Sequence, residues 1–296
     1  MPGTSEIPEA TPIGGRGYAH PDVLVSTAWV ADHLDDPAVR LIECSEDPLR
    51  YDGGHLPGAV SLDGLADLGD PVTRDVLSRD RFEKLVRALG ISTGMRVVFY
   101  GDGGNQWASH AFWVFRLYDV RHLALVDGGR ARWEQEGRPL TTRPPASRTG
   151  TFTATERRDA AWRAFRHDVE RHMVAGRPLV DVRSPEEYRG EAAVLARYPR
   201  EMALRSGHIP GAVNIPWDVV LDPVTHTFRA ADDLRVVYLD RYGLAPDADV
   251  ITYCRIGERS SLTWFVLTWL LGFHAVRNYD GSWTEWGNLV GAPIAR

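Results

Sequence analysis

The sequence Gly54-His55-Leu56-Pro57-Gly58-Ala59-Val60 returns almost unchanged as Gly207-His208-Ile209-Pro210-Gly211-Ala212-Val213, at an offset of 207 − 54 = 153 positions. The same offset relates Asp127-Gly128 to Asp280-Gly281 (280 − 127 = 153) and Trp133 to Trp286 (286 − 133 = 153). Self-similarity at one fixed spacing is the signature of a repeated structural unit. Because three landmarks agree, the sequence indicates the duplication of a whole domain.

One part of the repeat has a different offset. Leu41-Ile42-Glu43 corresponds to Leu179-Val180-Asp181 at an offset of only 181 − 43 = 138, so the second copy carries 153 − 138 = 15 extra residues before its Gly-His-Ile-Pro-Gly motif. Residues 190–204 account for this insertion. A loop of this length either borders a functional site or is a tolerated surface insertion.

Short apolar strands alternate with helical segments in both copies. The predicted strands are 39–43, 97–100 and 123–126 in the first copy, and 179–182, 250–253 and 275–279 in the second. Two predicted helices, 81–89 and 165–175, end at Gly90 and Gly176, as helices commonly do. This alternation is typical of an α/β fold with a mostly parallel sheet and helices on both faces. In such sheets, ligands bind beyond the carboxyl ends of the strands.

The composition is that of a globular protein. The chain has 296 residues, enough for about two domains, with 44% hydrophobic residues and a formal net charge of −6. A nucleic-acid partner is not expected, because it would require a basic domain or stripe. No membrane interaction is expected either, because no apolar run approaches the ~20 residues that span a bilayer. With two cysteines and no metal-ligand or nucleotide-binding spacing, we expect a cytoplasmic protein without a metal or cofactor.

Cys254 lies between a predicted buried strand and a predicted amphipathic helix. On such a turn, backbone N–H groups converge and the helix dipole favours an anion or a thiolate. The repeat places Gly101 opposite Cys254, since 254 − 153 = 101, so the first copy has no thiol there and is expected to be catalytically inactive. Cys44 matches no loop of the second copy, and we interpret it as a small buried thiol.

The paired motifs and the single cysteine loop resemble the two-domain rhodanese sulfurtransferases. Further resemblance lies in Asp181-Val182-Arg183-Ser184-Pro185-Glu186-Glu187-Tyr188 and in Asn278-Tyr279-Asp280-Gly281-Ser282-Trp283-Thr284-Glu285-Trp286. The resemblance implies two tandem rhodanese-like α/β domains. We expect a disordered leader at 1–20, an inactive N-terminal domain at 21–142, a linker at 143–155 and a catalytic C-terminal domain at 156–296.

The loop Cys254-Arg255-Ile256-Gly257-Glu258-Arg259 is similar to that of thiosulfate sulfurtransferases. The resemblance implies that sulfur passes from thiosulfate to cyanide or a thiol through a Cys254 persulfide, with release of sulfite. Family members that use 3-mercaptopyruvate carry a Cys-Gly-Ser-Gly loop, and the phosphatases of the family carry a loop one residue longer. Transfer from 3-mercaptopyruvate remains an alternative, as does a carrier role in which the persulfide passes to a partner protein.

The predicted substrate-binding residues are Arg183, Arg255, Ile256, Gly257, Glu258 and Arg259. The resemblance places Arg183 at an anion-binding position, although an ion pair with Glu186 or Glu187 would also explain this residue. Arg255 and Arg259 either contact the substrate or pair with Glu258. We expect the loop N–H groups and these arginines to lower the pKa of the Cys254 thiol. A nearby carboxylate would oppose that effect, so Glu258 is expected to point outward.

Other prominent side chains favour structural roles. His55 and His208, beside the prolines of the repeated motif, are predicted to form turns and hydrogen bonds rather than to act as catalysts. Four tryptophans are predicted to lie in the core or at a domain interface, because aromatic side chains bury large apolar areas: Trp264, Trp269, Trp283 and Trp286.

Overall fold

The computed structural model describes residues 7–191 and 203–296. Most of the predicted insertion at 190–204 therefore lies outside the described residues. The chain divides into two compact units. The first is built mainly from Pro21–Glu156 and includes Leu221–Ala230, whereas the second is built from the rest of the C-terminal half.

Nine strands are assigned in the described residues, and all of their pairings are parallel. They are β1 (Leu24–Val25), β2 (Val39–Glu43), β3 (Val60–Ser61), β4 (Arg96–Tyr100), β5 (Leu123–Val126), β6 (Leu179–Asp181), β7 (Val213–Asn214), β8 (Asp249–Tyr253) and β9 (Ala275–Asn278). The first sheet has the order β1-β5-β4-β2-β3 and the second has the order β7-β6-β8-β9. The predicted α/β architecture with parallel sheets is confirmed.

Helices flank both sheets. They are α1 (Thr27–Asp32), α2 (Leu49–Gly53), α3 (Arg79–Ala88), α4 (Gln106–Leu117), α5 (Gly129–Gln135), α6 (Asp159–Trp162), α7 (Arg166–Ala175), α8 (Pro185–Arg189), α9 (Ala231–Arg235), α10 (Glu258–Phe265) and α11 (Ser282–Trp286). Two of them continue as π-helix, α9 into Val236–Arg241 and α10 into Val266–Leu270. As predicted, α7 ends at Gly176, which adopts a left-handed conformation with φ +62°.

The strand register repeats with the offsets read from the sequence. Ile42 pairs with Phe99 in the first sheet, and Val180 pairs with Thr252 in the second. These partners differ by 180 − 42 = 138 and 252 − 99 = 153, the two offsets of the sequence repeat. Strand β1 is represented in the second unit by an isolated parallel bridge between Arg163 and Asn278, and strands β2 to β5 have the same order and register as the strands of the second sheet.

The repeated Gly-His-Leu/Ile-Pro-Gly motif is held in the same way in both copies. His55 stacks on Tyr51 with a centroid distance of 3.8 Å, and His208 stacks on Tyr188 at 3.6 Å. In each histidine, Nδ1 lies 2.9 Å from the carbonyl oxygen of the stacked tyrosine. Both histidines are buried. Both therefore make the hydrogen bonds predicted for them.

The core of the second unit forms around the central strand β8. This strand lies between β6 and β9, so both of its edges are paired, and it has the nearly continuous apolar sequence of a buried parallel strand. Trp264, Trp283 and Trp286 are buried, as predicted, whereas Trp269 is only partly buried. The position of Cys254 is thus fixed by the buried strand that precedes it.

Part of the predicted leader differs from the expected disorder. Ile13–Gly15 forms a 3-10 turn, and the buried Arg16 makes an ion pair with Asp127 at 2.8 Å. This ion pair anchors the segment, a long-range contact that composition alone does not reveal. The predicted linker, 143–155, contains no helix or strand.

Candidate active site

Cys254 is the first residue after β8, and α10 begins at Glu258. The turn between them depends on Gly257, which has φ +105°, a conformation that side chains other than glycine rarely adopt. A Cβ at this position would lie 2.8 Å from the Cα of Asp280. Asn278 at the end of β9 fixes the turn, because its side-chain amide donates to the carbonyl oxygen of Gly257 at 3.1 Å. The conformation of the loop is therefore set by its neighbours.

The Cys254 side chain is fully buried and has polar contacts with the loop and the start of α10. The Gly257 N–H donates to Sγ at 3.1 Å, and the thiol donates to Oε2 of Glu258 at 3.3 Å. The backbone N–H of Cys254 donates to Oγ of Ser282 at 3.1 Å. The Gly257 N–H group thus approaches the sulfur, but a carboxylate approaches it as well.

The expected outward orientation of Glu258 is wrong. Its side chain is buried, and the carboxylate lies between Sγ of Cys254 and Nε of Arg259, 3.3 Å from each. Glu258 is four residues after Cys254, so the loop and the first turn of α10 bring both side chains to the same side. The guanidinium group of Arg259 partly neutralises the Glu258 carboxylate and so stabilises it in this buried position.

The surroundings of the resting Cys254 thiol favour its protonated form. Burial and the Glu258 carboxylate raise the pKa of Cys254, and they outweigh Arg259 and the hydroxyl and N–H of Ser260, which act in the lowering direction. The expected lowering of the thiol pKa is therefore not realised in the resting site. The amides and the arginine have the predicted effect, but it is smaller than the opposing ones.

Glu187 on α8 anchors both arginines of the loop. Its Oε1 accepts from Nη2 of Arg255 at 2.8 Å, and its Oε2 accepts from Nη1 of Arg259 at 3.0 Å. The two guanidinium groups overcome the effect of burial and lower the pKa of Glu187 from its usual 4.5 to about 2. Arg255 and Arg259 therefore belong to one ion-pair network. Ile256, which lies between them in the loop, is partly buried.

Arg259 keeps one unused donor group. Its Nη1 and Nε contact Glu187 and Glu258, but Nη2 is buried and has no hydrogen-bond partner among residues 7–191 and 203–296. A buried guanidinium nitrogen without a partner is unfavourable unless another group occupies the site. The structure thus leaves a donor available for an anion in the loop that holds Cys254.

Arg183 is engaged elsewhere. It forms a buried ion pair with Asp181 at 2.6 Å, donates to the carbonyl oxygen of Gly207 at 2.7 Å, and lies over the ring of Trp283 at 4.6 Å. The pairing with Glu186 or Glu187 considered from the sequence is not the one observed.

The first unit contains the same arrangement as Arg183 with a different arginine. Arg130 pairs with Glu43 at 2.7 Å and donates to the carbonyl oxygen of Gly54. Glu43 and Gly54 are the repeat counterparts of Asp181 and Gly207. The copy without a thiol therefore retains an equivalent buried ion pair.

The equivalent loop of the first unit cannot hold a thiol in the same way. A Cβ at Gly101 would lie 2.2 Å from the carbonyl oxygen of Cys44. Asn105 closes this loop instead, since its Oδ1 accepts from the N–H of Gly101 at 3.0 Å. Cys44 itself is fully buried, and burial raises its pKa. The buried, unreactive thiol predicted for Cys44 agrees with this environment.

Three residues that shape the loop were not among the sequence candidates: Glu187, Asn278 and Ser282. All of them lie in the segments Asp181–Tyr188 and Asn278–Trp286, which carried the family resemblance. The two segments were therefore the available signal, but the sequence did not show which of their residues face the loop.

A groove of about 740 Å³ lies along α7, at the opposite end of the sheet from Cys254. Its charged groups are paired: Arg277 contacts Asp168 within the groove at 3.0 Å and Asp249 outside its lining at 3.1 Å. Asp249 begins β8, whereas Cys254 follows its carboxyl end. The groove is thus separate from the candidate site.

The described part of the chain contains no cluster of three or more His, Cys, Asp or Glu side chains arranged to hold a metal ion. Within residues 7–191 and 203–296, no helix is long and apolar enough to cross a membrane.

Comparison with known families matches two stretches of the chain, 26–136 and 165–289, to the Rhodanese-like domain. The chain belongs to the rhodanese family. The two matched stretches correspond to the two copies of the sequence repeat.

Relatives of this rhodanese carry names that concern sulfur. It is 52% identical to the "Sulfur carrier protein TtuD" of Thermus thermophilus, over 95% of this chain and 99% of the relative. It is 47% identical to the "Putative thiosulfate sulfurtransferase SseA" of Mycobacterium tuberculosis, over 94% of this chain and 92% of the relative. The crystal structure of SseA from Escherichia coli, described with the 3-mercaptopyruvate sulfotransferases, has a TM-score of 0.75 at 25% identity and covers 88% of this chain and 98% of that one. The family and these relatives make the protein a rhodanese-type sulfurtransferase.

Proposed function

We propose that this rhodanese transfers a sulfane sulfur from thiosulfate to a thiophilic acceptor, either cyanide or a thiol, through a persulfide on Cys254. The observation that carries the proposal is the position of Sγ at the carboxyl end of β8. There it receives the Gly257 N–H at 3.1 Å, next to a loop arginine with an unused donor. A covalent intermediate divides a difficult transfer into two easier steps.

In the first step, Sγ of Cys254 attacks the outer sulfur of thiosulfate. A sulfur–sulfur bond forms, the bond within thiosulfate breaks, and sulfite leaves with the electron pair. In the second step, the acceptor attacks the outer sulfur of the persulfide and Cys254 leaves as a thiolate. The Gly257 N–H favours negative charge on the sulfur, and Nη2 of Arg259 offers a charge-assisted hydrogen bond to the sulfonate oxygens.

The loop sequence favours thiosulfate over 3-mercaptopyruvate. Arg255 and Ile256 stand where the mercaptopyruvate-type loop has glycine and serine. Arg255 is held in an ion pair with Glu187, a contact that a glycine at this position could not make. The structural relative from E. coli keeps 3-mercaptopyruvate as the alternative donor to be tested.

A carrier role is the second candidate, and two observations favour it. The T. thermophilus relative, 52% identical, is named a sulfur carrier. In addition, the positive charges of Arg255 and Arg259 are balanced by the carboxylates of Glu187 and Glu258, so the resting loop has little net charge to attract a dianion. In this role the persulfide would be loaded by a donor enzyme and passed to an acceptor protein.

The thiosulfate, 3-mercaptopyruvate and carrier functions differ in the sulfur donor, so comparing turnover with different donors distinguishes them. Turnover should be measured with thiosulfate plus cyanide, with 3-mercaptopyruvate plus a thiol, and with a cysteine desulfurase as persulfide donor. We expect the highest kcat/KM with thiosulfate. Higher kcat/KM with 3-mercaptopyruvate would contradict the proposed donor. Loading by the desulfurase without turnover of either small molecule would favour the carrier role.

A further inference from the structure

The Glu258 carboxylate occupies a position that should hinder a nucleophilic thiolate. It is buried, it lies 3.3 Å from Sγ of Cys254, and its charge opposes ionisation of the thiol. A buried carboxylate is unfavourable unless it is paired, and here its partners are the thiol proton and Nε of Arg259. As a neighbour that only repels charge, Glu258 would slow the proposed reaction. It can assist the reaction by taking up the proton that the thiol must lose.

We propose that Glu258 is the proton acceptor for Cys254, taking the thiol proton as Sγ attacks the sulfur donor and holding it while the persulfide exists. This inference rests on the proposed function, because it assigns a role within the same sulfur transfer. The geometry required of a general base is present in the resting site, where the thiol already donates to Oε2 of Glu258.

The step is balanced without any further reactant. The Sγ–H bond of Cys254 breaks and an O–H bond forms on Oε2 of Glu258. The electron pair left on Sγ forms the bond to the sulfane sulfur, and sulfite leaves with the electron pair of the broken sulfur–sulfur bond. The products are the persulfide anion, neutral Glu258 and sulfite. When the acceptor removes the outer sulfur, the proton returns from Glu258 to Sγ.

Transfer of this proton also changes the electrostatics of the loop. The charged groups around Sγ are Glu258 and Arg259, and beyond them lie Glu187 and Arg255. In the resting state two carboxylates balance two guanidinium groups. Once Glu258 is neutral, one positive charge is no longer balanced. Arg259 is the arginine that contacts Glu258, so its positive charge is the one left unbalanced beside the persulfide and the leaving sulfite. Its buried Nη2 can then donate to one of these anions. The same proton transfer therefore provides both a nucleophile and an anion site.

Glu258→Gln tests the proposal, because it keeps the side-chain shape and removes the proton acceptor. Two pH profiles should be measured on the full chain: alkylation of Cys254 by iodoacetamide, which reports the thiolate, and single-turnover persulfide formation from thiosulfate. Removal of the negative charge should shift the alkylation midpoint of the variant to lower pH. The matched control is Glu170→Gln. Glu170 is an exposed residue of α7 that, in the described structure, pairs only with Arg166.

The two proteins should respond differently to acid. One pH unit below its own alkylation midpoint, Glu258→Gln should form persulfide at about a tenth of its plateau rate, because only the ionised fraction reacts. Over the same interval, the wild type and Glu170→Gln should change by less than about twofold, because the proton moves within the Cys254–Glu258 pair. Glu258→Asp, which keeps a base at a greater distance, should retain the flat profile at a lower rate.

Parallel pH profiles for the wild type and Glu258→Gln, or faster loading of the variant throughout the acidic range, would overturn the proposal. Circular dichroism and thermal unfolding of each variant establish that the fold is intact. If thiosulfate does not load the wild type at all, the proposed donor is wrong, and the same profiles are measured with the persulfide donor that does. If loading survives Cys254→Ser, the proposed function itself fails, which is a different outcome from the failure of Glu258.

Discussion

Replacing Glu187 by glutamine is expected to destabilise the protein, because this carboxylate binds two buried arginines at once. Its side chain is 11% exposed, and those of Arg255 and Arg259 are 10% and 12% exposed. The pKa of Glu187 falls from 4.5 to about 2, and each unit corresponds to ~1.4 kcal/mol, so the charge contributes about 3 kcal/mol to folding at neutral pH. Breaking a buried ion pair from one side typically costs about 3–5 kcal/mol, which agrees with this magnitude.

The contribution of Glu187 should depend on pH in a defined direction. Because its pKa is lowered in the folded state, the stabilisation is fully present above the usual pKa of 4.5 and is lost as the pH falls toward 2. The difference in unfolding free energy between the wild type and Glu187→Gln should thus decrease from about 3 kcal/mol at pH 7 to about 1 kcal/mol at pH 3.

Urea unfolding followed by tryptophan fluorescence at several pH values would measure this difference. Glu186→Gln is the matched control, because the Glu186 carboxylate is 57% exposed and, among the described residues, makes a surface ion pair with Arg189. The control should change the free energy of unfolding by less than about 0.5 kcal/mol at any pH. A loss below about 1 kcal/mol for Glu187→Gln at pH 7, or a loss that is the same at pH 7 and pH 3, would refute the reasoning.

Two further predictions concern glycines. Gly257→Ala should cost about 2–4 kcal/mol and abolish most sulfur transfer, because its φ is +105° and the new Cβ would lie 2.8 Å from the Cα of Asp280. Gly243→Ala, with φ +67° but open space around it, should cost only about 1 kcal/mol in the same urea assay and leave transfer intact; equal losses would contradict the role of Asp280. Gly101→Cys should not create a second sulfur site, because its Cβ would meet the carbonyl oxygen of Cys44 at 2.2 Å, and the strain should cost about 2–4 kcal/mol. Gly53→Ala, at the unobstructed end of α2, should change stability by less than about 1 kcal/mol, and sulfur bound to the introduced thiol of Gly101→Cys would show that the loop can adapt.

The fold was largely predictable because the sequence contains two copies of the same domain. Each copy provided an independent reading of the same strands. The offsets carry the pairing of Ile42 with Phe99 onto Val180 and Thr252, which also pair. Strand ends differed by at most one residue from the prediction, for instance at β4 and β6, because buried central strands have continuous apolar sequences.

The interior of the site was less predictable, because its contacts join distant parts of the chain. Glu187 is 68 residues from Arg255 and 72 residues from Arg259 in sequence, and Asn278 is 21 residues from Gly257. The sequence of a loop does not reveal which side chains from other elements pack against it. The sequence left substrate contact and pairing with Glu258 as alternatives for both arginines. In the structure Glu187 binds both of them, and Glu258 contacts Arg259 as well.

The orientation of Glu258 shows a second limit of sequence reasoning. A carboxylate repels an ionised thiol, but with a protonated thiol the same contact is a hydrogen bond. Which form exists depends on burial, and burial depends on the packing of β8 and α11 around Cys254. The sequence identified the interacting residues but not the protonation state of the pair.

Mapping the persulfide tests the central claim most directly. The protein is incubated with thiosulfate, freed of small molecules, and analysed by intact-mass and peptide mass spectrometry before and after addition of cyanide. The account predicts one added sulfur atom per chain, located on Cys254, removed by cyanide, absent in Cys254→Ser and retained in Cys44→Ser. Sulfur on Cys44, or transfer that persists in Cys254→Ser, would contradict it.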